Sequence, residues 1–144
     1  MIRLLPRLLR DSAGATAIEF ALLGPALITM LFGMLQIGIG MQAYSAIRGV
    51  SADVGRHVSV EYQKSNELSK RQIELLAEAM AVQAPYLLSG DLEVDVTDAP
   101  LQRVAGAKEM RFSITYTVPS VLDILGIGEF DIAYTRPIFV SAAS

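Results

Sequence analysis

The chain has 144 residues, a formal net charge of −3 and no cysteine, and 52% of its residues are hydrophobic. This length accommodates one small domain, and a chain without cysteine forms no disulfides and has no thiolate chemistry. From Tyr44 onward, nine Lys or Arg residues stand against thirteen Asp or Glu residues. Nucleic-acid binding requires a basic surface that neutralises phosphates, so we expect no nucleic acid among the partners.

Residues 1–14 form a short basic leader, which carries Arg3, Arg7 and Arg10. It is followed at residues 20–47 by 28 consecutive residues without a charge. As a helix this run would extend about 42 Å, whereas the hydrocarbon of a bilayer is about 30 Å thick. The sequence therefore predicts a single transmembrane helix at 15–47. Because arginines precede it and acidic residues are in excess after it, we expect a cytoplasmic N-terminus and an exported domain at 48–144.

Two other interpretations of the apolar run remain open. A buried helix of a soluble protein is rarely so long and so uniformly apolar. A cleaved secretory signal would begin with the same basic residues and would end near the small residues around Ala43-Tyr44-Ser45. The length of the run, and the polar Gln36 and Gln42 in its second half, argue against such a signal.

A short motif joins the leader to the apolar run and reads Asp11-Ser12-Ala13-Gly14-Ala15-Thr16-Ala17-Ile18-Glu19-Phe20. It resembles the processing site of type IV prepilins, specifically the TadE-like and TadG-like pseudopilins of the tight-adherence (Tad/Flp) pilus system. The resemblance implies cleavage by a prepilin peptidase after Gly14, which would make Ala15 the first mature residue, Glu19 the fifth and Phe20 the sixth. The chain differs from the pattern at Gln36, where the resemblance implies an acidic residue.

Physical chemistry is consistent with this assignment. A glycine lets the backbone take the extended or turned form that a peptidase cleft requires, and Gly14 supplies one. An ionised carboxylate at the centre of a membrane helix costs about 2.5–3.5 kcal/mol and less near an interface, so Glu19 needs a partner. The amino group freed at Ala15 would lie about one helical turn away, in the same subunit or a neighbouring one. Alternatively, Glu19 is only a first-turn acid that the helix dipole stabilises.

The exported part reads as an α+β domain. The first helix should continue to about Val60, and a second helix is expected at 65–84, capped by Ser65 or Ser69 and ended by Pro85. We expect its apolar face to contain Leu68, Leu75, Leu76, Ala79 and Met80.

Apolar and polar residues then alternate in three segments, which predicts a three-stranded antiparallel sheet with one face on the helices. The inward residues expected are Leu92, Val94 and Val96, then Met110, Phe112, Ile114, Tyr116 and Val118, then Phe130, Ile132 and Tyr134. A short apolar turn is expected at 121–125. A long helix backed by a small antiparallel sheet is also the architecture that the resemblance to pilins implies.

Candidate catalytic or metal-binding residues do not converge in this domain, so we expect no catalytic residue, no metal and no cofactor. His57 is the only histidine and lies on the predicted helix. The acidic residues Asp91, Glu93, Asp95 and Asp98 alternate along one strand, where they either bind calcium or form a charged edge that discourages aggregation. The second interpretation is favoured, because no calcium-binding loop is present.

The sequence therefore predicts a non-catalytic minor pilin or pseudopilin, single-pass in the bacterial inner membrane and able to enter a surface pilus. The resemblance implies four kinds of partner: a prepilin peptidase, other pilin and pseudopilin subunits, the inner-membrane assembly platform and membrane lipid. The alternative is an uncleaved single-pass envelope protein that anchors a periplasmic interaction domain.

Overall fold

The computed structural model describes residues 12–123 and 126–141 of the chain. Two helices are followed by three strands, which confirms the predicted α+β architecture. The elements are α1 (Ser12–Gln63), α2 (Lys70–Val82), β1 (Leu92–Asp98), β2 (Ala107–Val118) and β3 (Phe130–Ser141). The predicted turn at 121–125 lies partly outside the described residues.

Helix α1 is 52 residues long and has two different halves. Between residues 14 and 35 no residue is buried by the described part of the chain, and Pro25 lies within this stretch without ending the helix. The second half buries a stripe at intervals of three or four residues against the domain, which is the spacing of one helical face. The stripe consists of Ala43, Ile47, Val50, Val54, Val58 and Tyr62. The helix thus continues past Val60, to Gln63, because its last turn still contributes to the core.

Helix α2 begins later than predicted, at Lys70, because Ser69 is its N-cap. The Ser69 hydroxyl accepts from the Gln72 N–H at 3.3 Å, and the Gln72 side chain accepts from the Ser69 N–H at 2.8 Å. This reciprocal arrangement is a capping box, which satisfies two backbone donors at the start of a helix. Ser65, the other predicted cap, lies in the preceding turn with a φ of 62°.

The predicted apolar face of α2 is wrong in part. Leu75 and Ala79 are exposed, whereas the fully buried residues are Ile73, Ala77 and Ala81. Leu68 and Met80 do pack against the core, although neither is fully buried. Two alanines on the buried face let the helix axis lie close to its neighbours, and this close approach outweighs burial of the larger leucine.

The three strands form one antiparallel sheet in the order β1-β2-β3. Val94 pairs with Ile114, and Ile114 pairs with Tyr134, so the predicted inward residues share one face. That face packs against α1 and α2, and its core residues include Val96, Phe112 and Ile138. The outer face is polar. The structure therefore has two layers, with both helices on the same side of the sheet.

Strand β3 runs seven residues beyond Tyr134, through Pro137 to Ser141. A proline lacks the N–H that a central strand would donate, but β3 is an edge strand, where proline is tolerated. The extension buries Ile138 and Val140 beside α1.

Candidate functional site: the apolar helix and its attachment to the domain

Within the described residues, one helix is long and apolar enough to cross a membrane, and this helix is α1. The most apolar part of α1 is not buried by the rest of the chain. Exposure is highest at large side chains such as Phe20, Leu22 and Leu31, which are 76%, 73% and 66% exposed. A water-soluble protein rarely exposes so continuous an apolar surface, so this part of α1 has the properties of a membrane anchor.

The predicted processing residues lie at the start of this exposed helix. Gly14, Ala15, Glu19 and Phe20 are all exposed, and a Cβ built at Gly14 meets no atom within 4 Å. Gly14 is helical, not extended, so a peptidase would have to unwind the first turn of α1 before it could cut there. The leader arginines Arg3, Arg7 and Arg10 lie outside the described residues.

The Glu19 carboxylate makes no hydrogen bond or ion pair within residues 12–123 and 126–141. Ala15 lies one turn earlier, about 6 Å along the helix axis. The described part of the chain therefore places this carboxyl group without a partner on an otherwise apolar surface, and any compensating charge comes from outside that part.

Gln36 is the polar side chain that fixes the domain to the apolar helix. It is only 7% exposed. Its Nε2 donates to the Pro119 carbonyl oxygen at 3.1 Å, and its Oε1 accepts from the Val121 N–H at 2.8 Å. One side-chain amide thus binds the Pro119 carbonyl and the Val121 N–H, just after β2, and both its NH2 group and its oxygen have a partner.

An acidic residue at position 36 would not replace this amide. A carboxylate can accept from the Val121 N–H but cannot donate to the Pro119 carbonyl, so one buried acceptor would face another. Glutamine supplies both functions and carries no charge. This geometry gives a physical reason for the difference from the acidic residue that the sequence resemblance implied.

This role of Gln36 was not predicted from the sequence, although a signal was present. Gln36 shares one helical face with Gly40, Ala43 and Ile47, at intervals of four, three and four residues. All four are buried. The face that packs on the domain therefore begins inside the predicted transmembrane segment, 12 residues before Arg48.

Close contact of α1 with the sheet and with the segment after α2 depends on two glycines. A Cβ at Gly40 would lie 3.0 Å from the Phe130 ring, and a Cβ at Gly49 would lie 2.5 Å from Cε1 of Tyr86. Both distances are shorter than ordinary van der Waals contact, so any larger residue would displace the ring. The two glycines allow Phe130, at the start of β3, and Tyr86, in the segment after α2, to lie directly against the helix.

The Tyr86 hydroxyl, held over Gly49, donates to the Asp53 carboxylate at 2.6 Å. This hydrogen bond favours the neutral phenol and, together with burial and the nearby negative charge, raises the pKa of Tyr86 to about 12. It ties the segment after α2 to the domain half of α1.

At the far end of the domain, Glu109 is 4% exposed and its carboxylate is paired with Arg103. The Nε of Arg103 donates to Oε1 of Glu109 at 2.8 Å, and the Arg103 backbone N–H donates to Oε2 at 3.2 Å. These donors hold the pKa of Glu109 below its ordinary value, although burial acts in the opposite direction. The pair closes the connection between β1 and β2.

The other candidate residues do not form a reactive site. His57 is exposed on α1. Asp98 accepts from Lys70 at 2.7 Å, and this bond lowers the pKa of the Asp98 carboxyl. In the part of the chain that the structure describes, no three His, Cys, Asp or Glu residues are grouped so that they could hold a metal ion. Strand β1 is an edge strand, so its acidic residues occupy the position of a charged edge.

Comparison with known protein families gives a match that lies on α1. A family model described as TadE-like protein matches residues 14–56. The match begins at Gly14 and includes Glu19 and Gln36, but it contains none of α2 or the sheet. No curated protein and no solved structure matches the chain.

Proposed function

We propose, from the match of residues 14–56 to the TadE-like family model, that this chain is a membrane-anchored minor pilin or pseudopilin of a Tad/Flp-type adhesion pilus. The observation that carries the proposal is the match itself, which falls on a helix with one exposed apolar half and one half built into a domain. The role is structural and non-catalytic. Its partners are other pilin and pseudopilin subunits, the inner-membrane assembly platform and membrane lipid.

In this proposal the chain crosses the inner membrane once, with its N-terminus in the cytoplasm and its domain in the periplasm. The arginines of the leader and the acidic excess from Tyr44 onward support this direction. Past Gln36, the side of α1 that faces away from the domain remains apolar and exposed at Ile37 and Met41. Such a face suits lateral packing against the helices of neighbouring subunits.

The mechanism that we propose is charge pairing after cleavage. A prepilin peptidase removes residues 1–14, and the new amino group of Ala15 neutralises Glu19 of its own or a neighbouring subunit. The exposure of both residues and the unpaired state of the Glu19 carboxylate in the described chain support this pairing. In a low-dielectric surrounding the pair would set the stagger between adjacent helices. Phe20 would pack beside it against the same neighbour.

Cleavage is tested by co-expressing the chain with a prepilin peptidase and measuring its intact mass. The expected product lacks residues 1–14 and begins at Ala15. Gly14→Val should abolish cleavage, because a branched side chain fits the scissile position poorly. Gly33→Val is the matched control, since a Cβ at either glycine meets no atom within 4 Å. An uncut chain in the presence of an active peptidase would contradict the proposal.

Pairing is tested in a strain that assembles the pilus. Glu19→Ala should leave cleavage largely intact but reduce the number of surface filaments, whereas Ile18→Ala, at an adjacent exposed position, should reduce it much less. Filament counts by electron microscopy provide the measurement. Equal filament formation by wild type and Glu19→Ala would rule out the pairing role.

One observation favours the second candidate function, an uncleaved envelope protein that anchors a periplasmic interaction domain. Gly14 is already helical, so the proposed scissile bond is not presented in extended form. The same mass measurement separates the two functions, because only the pilin function yields a chain that begins at Ala15.

A further inference from the structure

We propose that the loop between β2 and β3, in its described residues 119–123 and 126–129, rests on the bilayer surface and that Ile127 contacts lipid. The inference rests on the proposed membrane anchorage of α1. It adds a second contact with lipid to that of the helix, and it moves the membrane boundary from Ile47 to Gln36.

The position of the boundary follows from Gln36. Its amide binds Pro119 and Val121, which are irregular backbone outside any strand. Irregular backbone exposed to lipid does not occur in hydrocarbon, because its polar groups would lack partners. The hydrocarbon must therefore end before Gln36. Residues 15–35 then remain, and as a helix they extend about 31 Å, which matches the roughly 30 Å of a bilayer core.

The direction of the strands places the loop at the membrane end of the domain. Phe130, the first residue of β3, lies against Gly40 of α1, and Phe139 near the end of β3 accepts a hydrogen bond from Ser59. Strand β3 therefore runs away from the apolar half of the helix, and β2 runs back toward it. The described residues of the connection between them therefore lie at the end of the domain that adjoins the exposed apolar surface, where Pro119 and Val121 contact Gln36.

Ile127 is held firmly in this loop although its side chain is 49% exposed. Its N–H donates to the Leu122 carbonyl at 3.3 Å, and its carbonyl accepts from the Ser120 hydroxyl at 2.6 Å. Ser120 lies between the two residues that Gln36 binds. An exposed aliphatic residue is thus tied, through a short chain of hydrogen bonds, to the point where α1 leaves the hydrocarbon.

Charged residues of the same loop indicate how deep the loop lies in the bilayer and which lipid headgroups it contacts. Asp123 and Glu129 are exposed on either side of Ile127, so the loop belongs among the headgroups and not in the hydrocarbon. Their negative charge favours a zwitterionic surface over an anionic one. The headgroup layer is about 5–8 Å thick on each side, which leaves room for one aliphatic side chain at the boundary.

The chain contains no tryptophan, so single tryptophans can report depth without background. The full chain is reconstituted in phosphatidylcholine vesicles as three variants: Ile127→Trp, Leu27→Trp and Leu101→Trp. One set of lipids carries bromine on the acyl chains near the ester groups, to report the boundary, and a second set carries it near the middle of the chains, to report the centre of the span. Leu27 lies in the proposed span.

Leu101 is 73% exposed in the β1–β2 connection. It lines one cavity with Arg136 and Pro137, next to the part of β3 that accepts a hydrogen bond from Ser59. Ser59 lies about 35 Å along α1 from Gln36.

We expect the tryptophan of Ile127→Trp to emit at shorter wavelength than the tryptophan of Leu101→Trp. In brominated lipid the emission of Ile127→Trp should lose intensity, whereas the emission of Leu101→Trp should not. Adding Gln36→Leu to Ile127→Trp should return part of the lost intensity, because the loop is then no longer tied to the helix. If Leu27→Trp is quenched and Ile127→Trp behaves like Leu101→Trp, the lipid contact of the loop is wrong and the anchor stands. If Leu27→Trp is not quenched, the membrane anchorage itself is wrong, and the loop contact falls with it.

Discussion

Gln36 and Pro119 are 83 residues apart in the sequence, and Nε2 of Gln36 donates a hydrogen bond to the Pro119 carbonyl oxygen. Gln36→Leu should therefore leave the Pro119 carbonyl and the Val121 N–H without their partner. A fully buried group that loses its partner costs about 1–3 kcal/mol, and these two groups are partly buried, so each should cost less than that. We expect lower thermal stability in detergent micelles and faster hydrogen exchange at the Val121 amide.

Gln42→Leu makes the same change at an exposed position of α1 and serves as the control. It should alter neither the unfolding temperature nor the exchange of Val121 appreciably. Equal exchange rates at Val121 in wild type and Gln36→Leu would mean that the amide does not hold the loop in solution.

Gly49→Ala should disrupt the contact between α1 and Tyr86, because the added Cβ would lie 2.5 Å from the ring. The ring has to move, and with it the hydroxyl that binds Asp53. We expect a lower unfolding temperature. In Gly38→Ala the Cβ meets no atom within 4 Å, so the variant should gain up to about 1 kcal/mol from helix propensity. A Gly49→Ala protein as stable as Gly38→Ala would contradict the close approach.

Tyr86 should ionise late in an alkaline titration followed by tyrosinate absorbance, with a pKa of about 12 instead of the ordinary 10.0. A folded-state pKa that is raised stabilises the protein below the ordinary pKa, and this contribution is lost as the pH rises through about 12. Asp53→Asn removes the charged acceptor and should bring the Tyr86 pKa toward 10.0. Tyr86→Phe should remove the late ionisation step and so assigns it to Tyr86. Tyr134→Phe, which removes a different tyrosine, is the control and should retain the step. An unchanged late step in Tyr86→Phe would show that another tyrosine produces it.

Protonation of Glu109 should lower the stability of the protein at acid pH. Its pKa is lowered by Arg103, so its stabilising effect is complete above the ordinary value of 4.5 and is lost as the pH falls through the lower folded-state value. We expect Glu109→Gln to lower the unfolding temperature at neutral pH and to show a smaller further loss below pH 4.5 than wild type.

The control for this measurement is Glu93→Gln, which changes an exposed residue of the edge strand. It should leave the acid dependence close to that of wild type. If Glu109→Gln and Glu93→Gln give the same curve, the buried pair does not govern the acid sensitivity. Part of the loss should persist in Glu109→Gln, because the pKa values of Glu61 and Asp98 are also lowered by their partners.

Periodicity alone predicted most of the fold. Alternation in β2 assigns Met110, Phe112 and Ile114 to the inner face, and all three are buried. The prediction stopped β3 too early because Pro137 interrupts the pattern, and the sequence does not reveal that β3 is an edge strand. The buried face of α2 was assigned by hydrophobicity, whereas packing selected the small residues Ala77 and Ala81.

The sequence indicated the start of the apolar helix but not its attachment. Gly14 and Glu19 lie next to the basic leader and the apolar run in the sequence, so local spacing was enough to choose them as candidates. Gln36 acts on Pro119 and Val121, and Glu109 acts with Arg103 across a turn. Such contacts depend on which segments the fold brings together, and the composition of the apolar run contains no information about them.

The continuity of α1 has a mechanical consequence. One uninterrupted helix contains both Glu19 and the buried residues Val50 and Val54, and the latter are locked into the core. In the proposed membrane-anchored subunit, a rotation of the exported domain would therefore be passed along the helix to Glu19 and would turn its carboxylate toward one neighbouring subunit and away from another. A partner that binds the domain would in this way select which neighbouring subunit the N-terminal end of the helix contacts.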